Sequence, residues 1–148
     1  MDDAYDLERF VHAQQPLIGR VLEELAAGYK ASHWMWFIFP QLRGLGASGT
    51  AQRFGLAGVA EARSYLRHPL LGPRLRECTA LVLAVEGRSA EEIFGYPDYL
   101  KFRSCLTLFA QAAASGASPE DRVFGEALVK YYGGEPDPKT LALLTSAS

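Results

Sequence analysis

The stretch Lys30-Ala31-Ser32-His33-Trp34-Met35-Trp36-Phe37-Ile38-Phe39-Pro40-Gln41-Leu42-Arg43-Gly44-Leu45-Gly46 organises this chain. It contains both tryptophans, and each aromatic ring it buries covers roughly 150–250 Å². By periodicity the run Trp34 to Phe39 fits a buried strand or a buried helix equally well. Ser32 ahead of it suits a helix cap and Pro40 ends a helix, so a short buried helix is predicted, with both indoles mostly buried. Lys30, Ser32, His33, Gln41 and Arg43 stand at the edges of the apolar block. A buried wall with polar groups at its rim is the usual build of a small-molecule pocket.

Working outward, Leu7, Phe10 and Val11 give a short helix within Asp3 to Ala13. Pro16 suits a first helical position, and Ile18, Val21, Leu22 and Leu25 form one face up to a stop at Gly28. Short helices are expected at Ser48 to Leu56 and around Val59 to Leu66. Pro69 and Pro73 then break the chain around Leu70-Leu71-Gly72, before an amphipathic helix from Leu75 to Val85. Ser89 with Glu92 forms a capping box for Ala90 to Phe94. Tyr99 to Ala114, Val123 to Tyr131 and a last helix after Asp137-Pro138 complete the pattern. No segment alternates with a period of two and no repeat appears. The reading is all-α: one domain over residues 1–148, with its core at about 7–144, built from about eight short helices around the aromatic segment.

Composition bounds the function. A chain of 148 residues can bury about two thirds of its unfolded surface. A net charge of −2 gives no electrostatic reason to expect nucleic acid or an anionic membrane as partner. Cys78 and Cys105 sit in apolar helical contexts and read as buried free thiols of a cytoplasmic protein. The start Met1-Asp2-Asp3 is unlike a signal peptide, and no apolar run is long enough to span a bilayer.

Gly44-Leu45-Gly46-Ala47-Ser48-Gly49 fits the dinucleotide fingerprint letter for letter. Pro40 interrupts the approach, however, and Glu61 comes too early to be the acidic partner. A tight turn between two helices is the preferred reading, with phosphate binding by backbone N–H groups before Ser48 as the alternative. No H-E-x-x-H or paired C-x-x-C occurs, so neither a metal site nor a cofactor is predicted. His68, ahead of Pro69, reads as ordering a turn. His33 reads as satisfying a buried backbone group, and it is also the best acid/base candidate in the chain. Asp98, Lys101, Ser104 and Thr107 recur along one stripe of a helix, which is either solvated or lines a cavity for an anion.

Several runs resemble the DUF1810 family: Lys30-x-x-His33-Trp34-Met35-Trp36-Phe37-Ile38-Phe39-Pro40-Gln41-Leu42, Gly44-Leu45-Gly46-x-Ser48 and Glu61-Ala62-x-x-Tyr65-Leu66-x-His68-Pro69-x-Leu71-Gly72. So do Ile93-Phe94-Gly95-x-x-Asp98-x-x-Lys101, Ser104-x-x-Thr107-Leu108-Phe109 and Gly134-x-x-Asp137-x-x-Thr140-Leu141. The resemblance implies a compact all-α domain and no established activity. The chain departs from the family pattern at Cys105, where a Ser is expected. It is also loosely similar to the NADAR family, which is likewise small, helix-rich and furnished with aromatic and Lys-containing motifs.

Two functions compete. The first is a pocket for a small anionic ligand, a nucleotide or ADP-ribose-like molecule, whether merely bound or acted upon. Trp34 and Trp36 would wall it, and Lys30, His33, Gln41 and Ser48 would edge it together with Arg74, Lys101, Ser104 and Thr107. Lys30 or His33 is then expected to lie across a cleft from Lys101 and Ser104. An anion, or a carboxylate such as Asp98 or Glu61, must offset the converging cations. The second is a non-catalytic protein–protein interaction module that docks a partner on exposed aromatics.

Overall fold

The computed structural model describes residues 5–113 and 118–147. In chain order the helices are α1 (Glu8–Gln14), α2 (Ile18–Ala27), α3 (Met35–Ile38), α4 (Gly49–Phe54) and α5 (Val59–Arg67). They continue with α6 (Leu71–Leu83), α7 (Ala90–Phe94), α8 (Asp98–Ala113), α9 (Arg122–Tyr132) and α10 (Pro138–Ala147), and a 3-10 turn at Pro119–Asp121 precedes α9. The all-α class is as the sequence implies, although the described residues form ten helices where about eight were expected. No strand occurs among the described residues. One parallel bridge pairs Leu42 with Leu56 and closes the loop that carries α4.

Local chemistry sets most helix ends. Gly28 and Gly133 stop α2 and α9 in the left-handed conformation. Ser89 and Glu92 form the predicted capping box on α7. Two expectations need correction. Pro16 lies ahead of α2, which starts at Ile18. Pro73 does not break the chain: it sits in the first turn of α6, where a backbone N–H has no helical partner to lose. The start of α6 is instead set by His68, whose Nδ1 accepts hydrogen bonds from the N–H groups of Leu70 (3.1 Å) and Leu71 (3.2 Å). Gly72 is required there, because a Cβ would lie 2.1 Å from the Leu66 carbonyl oxygen. The expected start at Asp3 and end at Ala114 lie outside the described residues.

Helix α8 is the axis of the core, packing against α5, α7, α9 and α10. From Ser104 to Phe109 it is buried on every side, as befits a central helix. Its stripe is therefore not solvated. The segment leading into α10 covers it: Asp137 accepts a hydrogen bond from the Ser104 hydroxyl (3.0 Å), and the Asp137 N–H donates to Thr107 Oγ1 (2.8 Å). The aromatic block meets α8 through Phe39, whose ring stands edge-on to Phe102 at 4.9 Å and to Phe94 at 5.8 Å. Tyr65 continues the chain of rings from Phe10 to Phe109. One continuous apolar cluster runs from Leu7 to Leu128.

Candidate functional site

The connection from α2 to α3 is held by a residue that periodicity did not single out. Glu24, on α2, accepts hydrogen bonds from the N–H groups of Ala31 (2.8 Å) and Ser32 (3.1 Å), from the Ser32 hydroxyl (2.6 Å) and from the Trp34 indole N–H (2.9 Å). Ser32 is thus a donor to Glu24, and α3 has no side-chain cap. Burial acts to raise the Glu24 carboxyl, but these donors outweigh it and hold the group below the ordinary carboxylate range. The Lys30 N–H donates to the Ile93 carbonyl at 2.8 Å and ties the same loop to α7.

So fixed, Lys30 points at the start of α8. Its Nζ lies 2.7 Å from Asp98 Oδ2, and Lys101 Nζ lies 3.0 Å from Oδ1. One carboxylate bridges two ammonium groups. The expected offset is Asp98, and Glu61 is elsewhere, paired with Arg9 at 3.0 Å. Each ammonium also sits over an indole, Lys30 5.0 Å from the Trp34 ring centre and Lys101 4.2 Å from that of Trp36. The Lys30 side chain is only 6% exposed and that of Asp98 18%. Burial tends to raise the Asp98 carboxyl, yet hydrogen bonds and charge from the two lysines prevail and lower it.

Two cavities adjoin this bridge, and Trp36 and Lys101 line both. The first, about 300 Å³, adds Lys30, His33, Trp34 and Thr50 with Asp98. The second, about 410 Å³, adds Gln41, Leu45, Gly46, Leu100 and Ser104 together with Arg103, Asp137 and Lys139. Gly46 keeps the backbone close to the indole, since a Cβ there would meet Trp36 Cη2 at 3.1 Å.

Lys30, His33, Trp34, Trp36 and Lys101 are brought together at the first cavity, and Gln41 and Ser104 at the second. Ser104 lines the second cavity and not the one that holds Lys30 and His33. Trp34 is 1% exposed and supports the cavity from beneath. Trp36 is packed against the core with part of its ring open to the cavities, so both indoles are mostly buried, as expected. His33 is exposed and satisfies no buried backbone group.

Three residues reach neither cavity. Ser48 caps α4 by accepting from the Ala51 N–H, so the glycine-rich run is a turn into a short helix. Thr107 is buried, with its hydroxyl committed to the Arg103 carbonyl and the Asp137 N–H. Arg74 lies against α1, donating to the side-chain oxygens of Gln14 and Gln15. Sequence reasoning missed Glu24 on α2, Leu45 and Thr50 at and beyond the exit of the aromatic block, and Arg103, Asp137 and Lys139, which come together where α10 meets α8. The Gly134-x-x-Asp137-x-x-Thr140 run pointed at this region without giving it a role. Among the described residues no three His, Cys, Asp or Glu side chains are grouped to hold a metal.

An all-α domain with a lysine–aspartate–lysine bridge beneath an aromatic segment is what the geometry defines. The chain belongs to the DUF1810 family, described as a protein of unknown function, whose model matches residues 4–144. It is similar to the conserved hypothetical protein Rv1873 from Mycobacterium tuberculosis, known from a 1.38 Å crystal structure. Sequence identity is 56%, the match covers 97% of this chain and 99% of that one, and the TM-score is 0.91. No curated protein matches the chain. No described helix is long and apolar enough to cross a membrane.

Proposed function

We propose that the paired cavities bind a small anionic ligand, a nucleotide or an ADP-ribose-like molecule, with its phosphate at Lys30 and Lys101. One observation carries the reading. Four cations, Lys30, Lys101, Arg103 and Lys139, line the cavities against two carboxylates, Asp98 and Asp137, although the chain as a whole carries a net charge of −2. Gathering positive charge against the overall balance is costly unless an anion uses it. Volumes of about 300 and 410 Å³ lie in the range of ligand pockets. His33, at the rim and exposed, is the side chain available for proton transfer if the ligand is also a substrate. The buried free thiols Cys78 and Cys105 favour a cytoplasmic setting. Burial and the neighbouring Glu77 push Cys78 up to about 12, so it is no nucleophile.

A thermal-shift series with nucleotides, NAD derivatives and phosphosugars tests this. A probe at about a hundred times its Kd should stabilise the fold by about 2.7 kcal/mol. Lys101→Ala should abolish most of that shift while leaving the unliganded melting temperature nearly unchanged, because Lys30 still neutralises Asp98. A screen in which every probe leaves the melting temperature unmoved, or a Lys101→Ala protein that responds like the parent, would overturn the reading.

A further inference from the structure

The two cavities differ in what they offer a ligand. The larger is walled by the Trp36 ring with Leu45, Pro97 and Leu100, and Gln41 faces it although that residue is only 7% exposed. The Gln41 backbone carbonyl is committed to the Leu56 N–H at 3.0 Å. Its side-chain amide forms no hydrogen bond to any described residue, yet no side-chain nitrogen or oxygen is sealed from solvent without a partner. The amide therefore opens onto the cavity. Of the other polar groups there, Ser104 donates to Asp137, Arg103 donates to the carbonyls of Glu135 and Pro136, and Lys101 pairs with Asp98, while the Lys139 ammonium has no partner among the described residues.

A primary amide presents a donor and an acceptor side by side. Its complement is an edge carrying an acceptor beside a donor, as on a nucleobase or a carboxamide. Apolar walls suit the faces of a flat ring. We infer that this cavity receives the planar head of the ligand, a base or a carboxamide-bearing ring, with Gln41 reading its edge. The Lys30–Lys101 cavity receives the phosphate. The inference rests on the anionic-ligand reading above and divides that ligand between the two cavities.

Isothermal titration with ribose 5-phosphate, AMP and nicotinamide mononucleotide tests it. In the parent protein a ringed probe should bind more tightly than ribose 5-phosphate, and the better of the two ringed probes tells base from carboxamide. Gln41→Met keeps the length and removes the hydrogen-bonding edge. It should weaken the better ringed probe about five- to tenfold, the worth of one lost hydrogen bond, and leave ribose 5-phosphate within about twofold. Leu100→Trp fills the cavity from its exposed rim, where Leu100 is 41% accessible, and should erase the same preference. It decides the matter if Gln41→Met proves unfolded by circular dichroism. Equal binding of all three probes by the parent, or an unchanged preference in both variants, overturns the division of the ligand. If none of the three binds while another anion does, the division fails and the anionic site survives. If no anion binds, both fall.

Discussion

Asp98 decides how two lysines coexist under the aromatic block. Without it, Lys30 would be a nearly buried ammonium facing a second cation. Asp98→Asn keeps the shape and removes the charge, so it should cost about 2–3 kcal/mol at pH 7, somewhat below the cost of breaking a fully buried pair. The pH dependence follows from the lowered Asp98 carboxyl. A depressed acid contributes its stability in full above the unfolded value, near 3.9, and loses it as pH falls through the folded one. Urea unfolding at pH 7, 5 and 3 should therefore show a constant gap between parent and variant at the two higher values and a shrunken gap at pH 3. A gap that widened on acidification would mean that Asp98 does not bridge the lysines. The sequence had offered Asp98 and Glu61 as equal candidates for this role. Spacing along the chain did not reveal that Arg9, on α1, claims Glu61.

At the scale of elements, the helix ends written in local residues were legible. The Ser89–Glu92 box and the Gly28 stop both lie where the sequence put them. Ends set by distant partners were not. Glu24 orders the approach to α3 from seven to ten residues away, which composition does not encode. His68, by contrast, starts α6 through its near neighbours, in keeping with its reading as a turn-ordering residue. Glu24 also makes a prediction. Glu24→Ala would leave four donors without their acceptor, among them the indole N–H of buried Trp34. Hydrogen bonds to a charged group contribute about 1.5–3 kcal/mol, so the variant should lose at least about 2 kcal/mol by urea unfolding. The loop that carries Lys30 would loosen with it. A loss under about 0.5 kcal/mol would show that the loop is held by Trp34 packing alone.

Across the whole molecule, the all-α class could be read because period-two alternation is absent and helical spacing recurs along the chain. Half of the site could be read as well, since the aromatic block carries Lys30, His33, Trp36 and Gln41 in one stretch. What α10 and the residue just before it contribute, Lys139 and Asp137, could not, because it depends on that helix folding back over α8. The same folding back predicts how the chain unfolds. Phe10 of α1, Phe39 of the aromatic block, Phe102 of α8 and Phe124 of α9 all belong to one apolar cluster. No subset of helices can leave without stripping rings from the rest. The chain from 1 to 148 should therefore unfold in urea as one unit, with a slope of about 1–3 kcal/mol per molar. Two probes make this testable, because both tryptophans lie within the aromatic block while helices are spread along the chain. Indole fluorescence and far-ultraviolet circular dichroism should then trace coincident transitions. A fluorescence change that preceded the loss of helix would mean that the aromatic block can open while α8 and α9 stay packed.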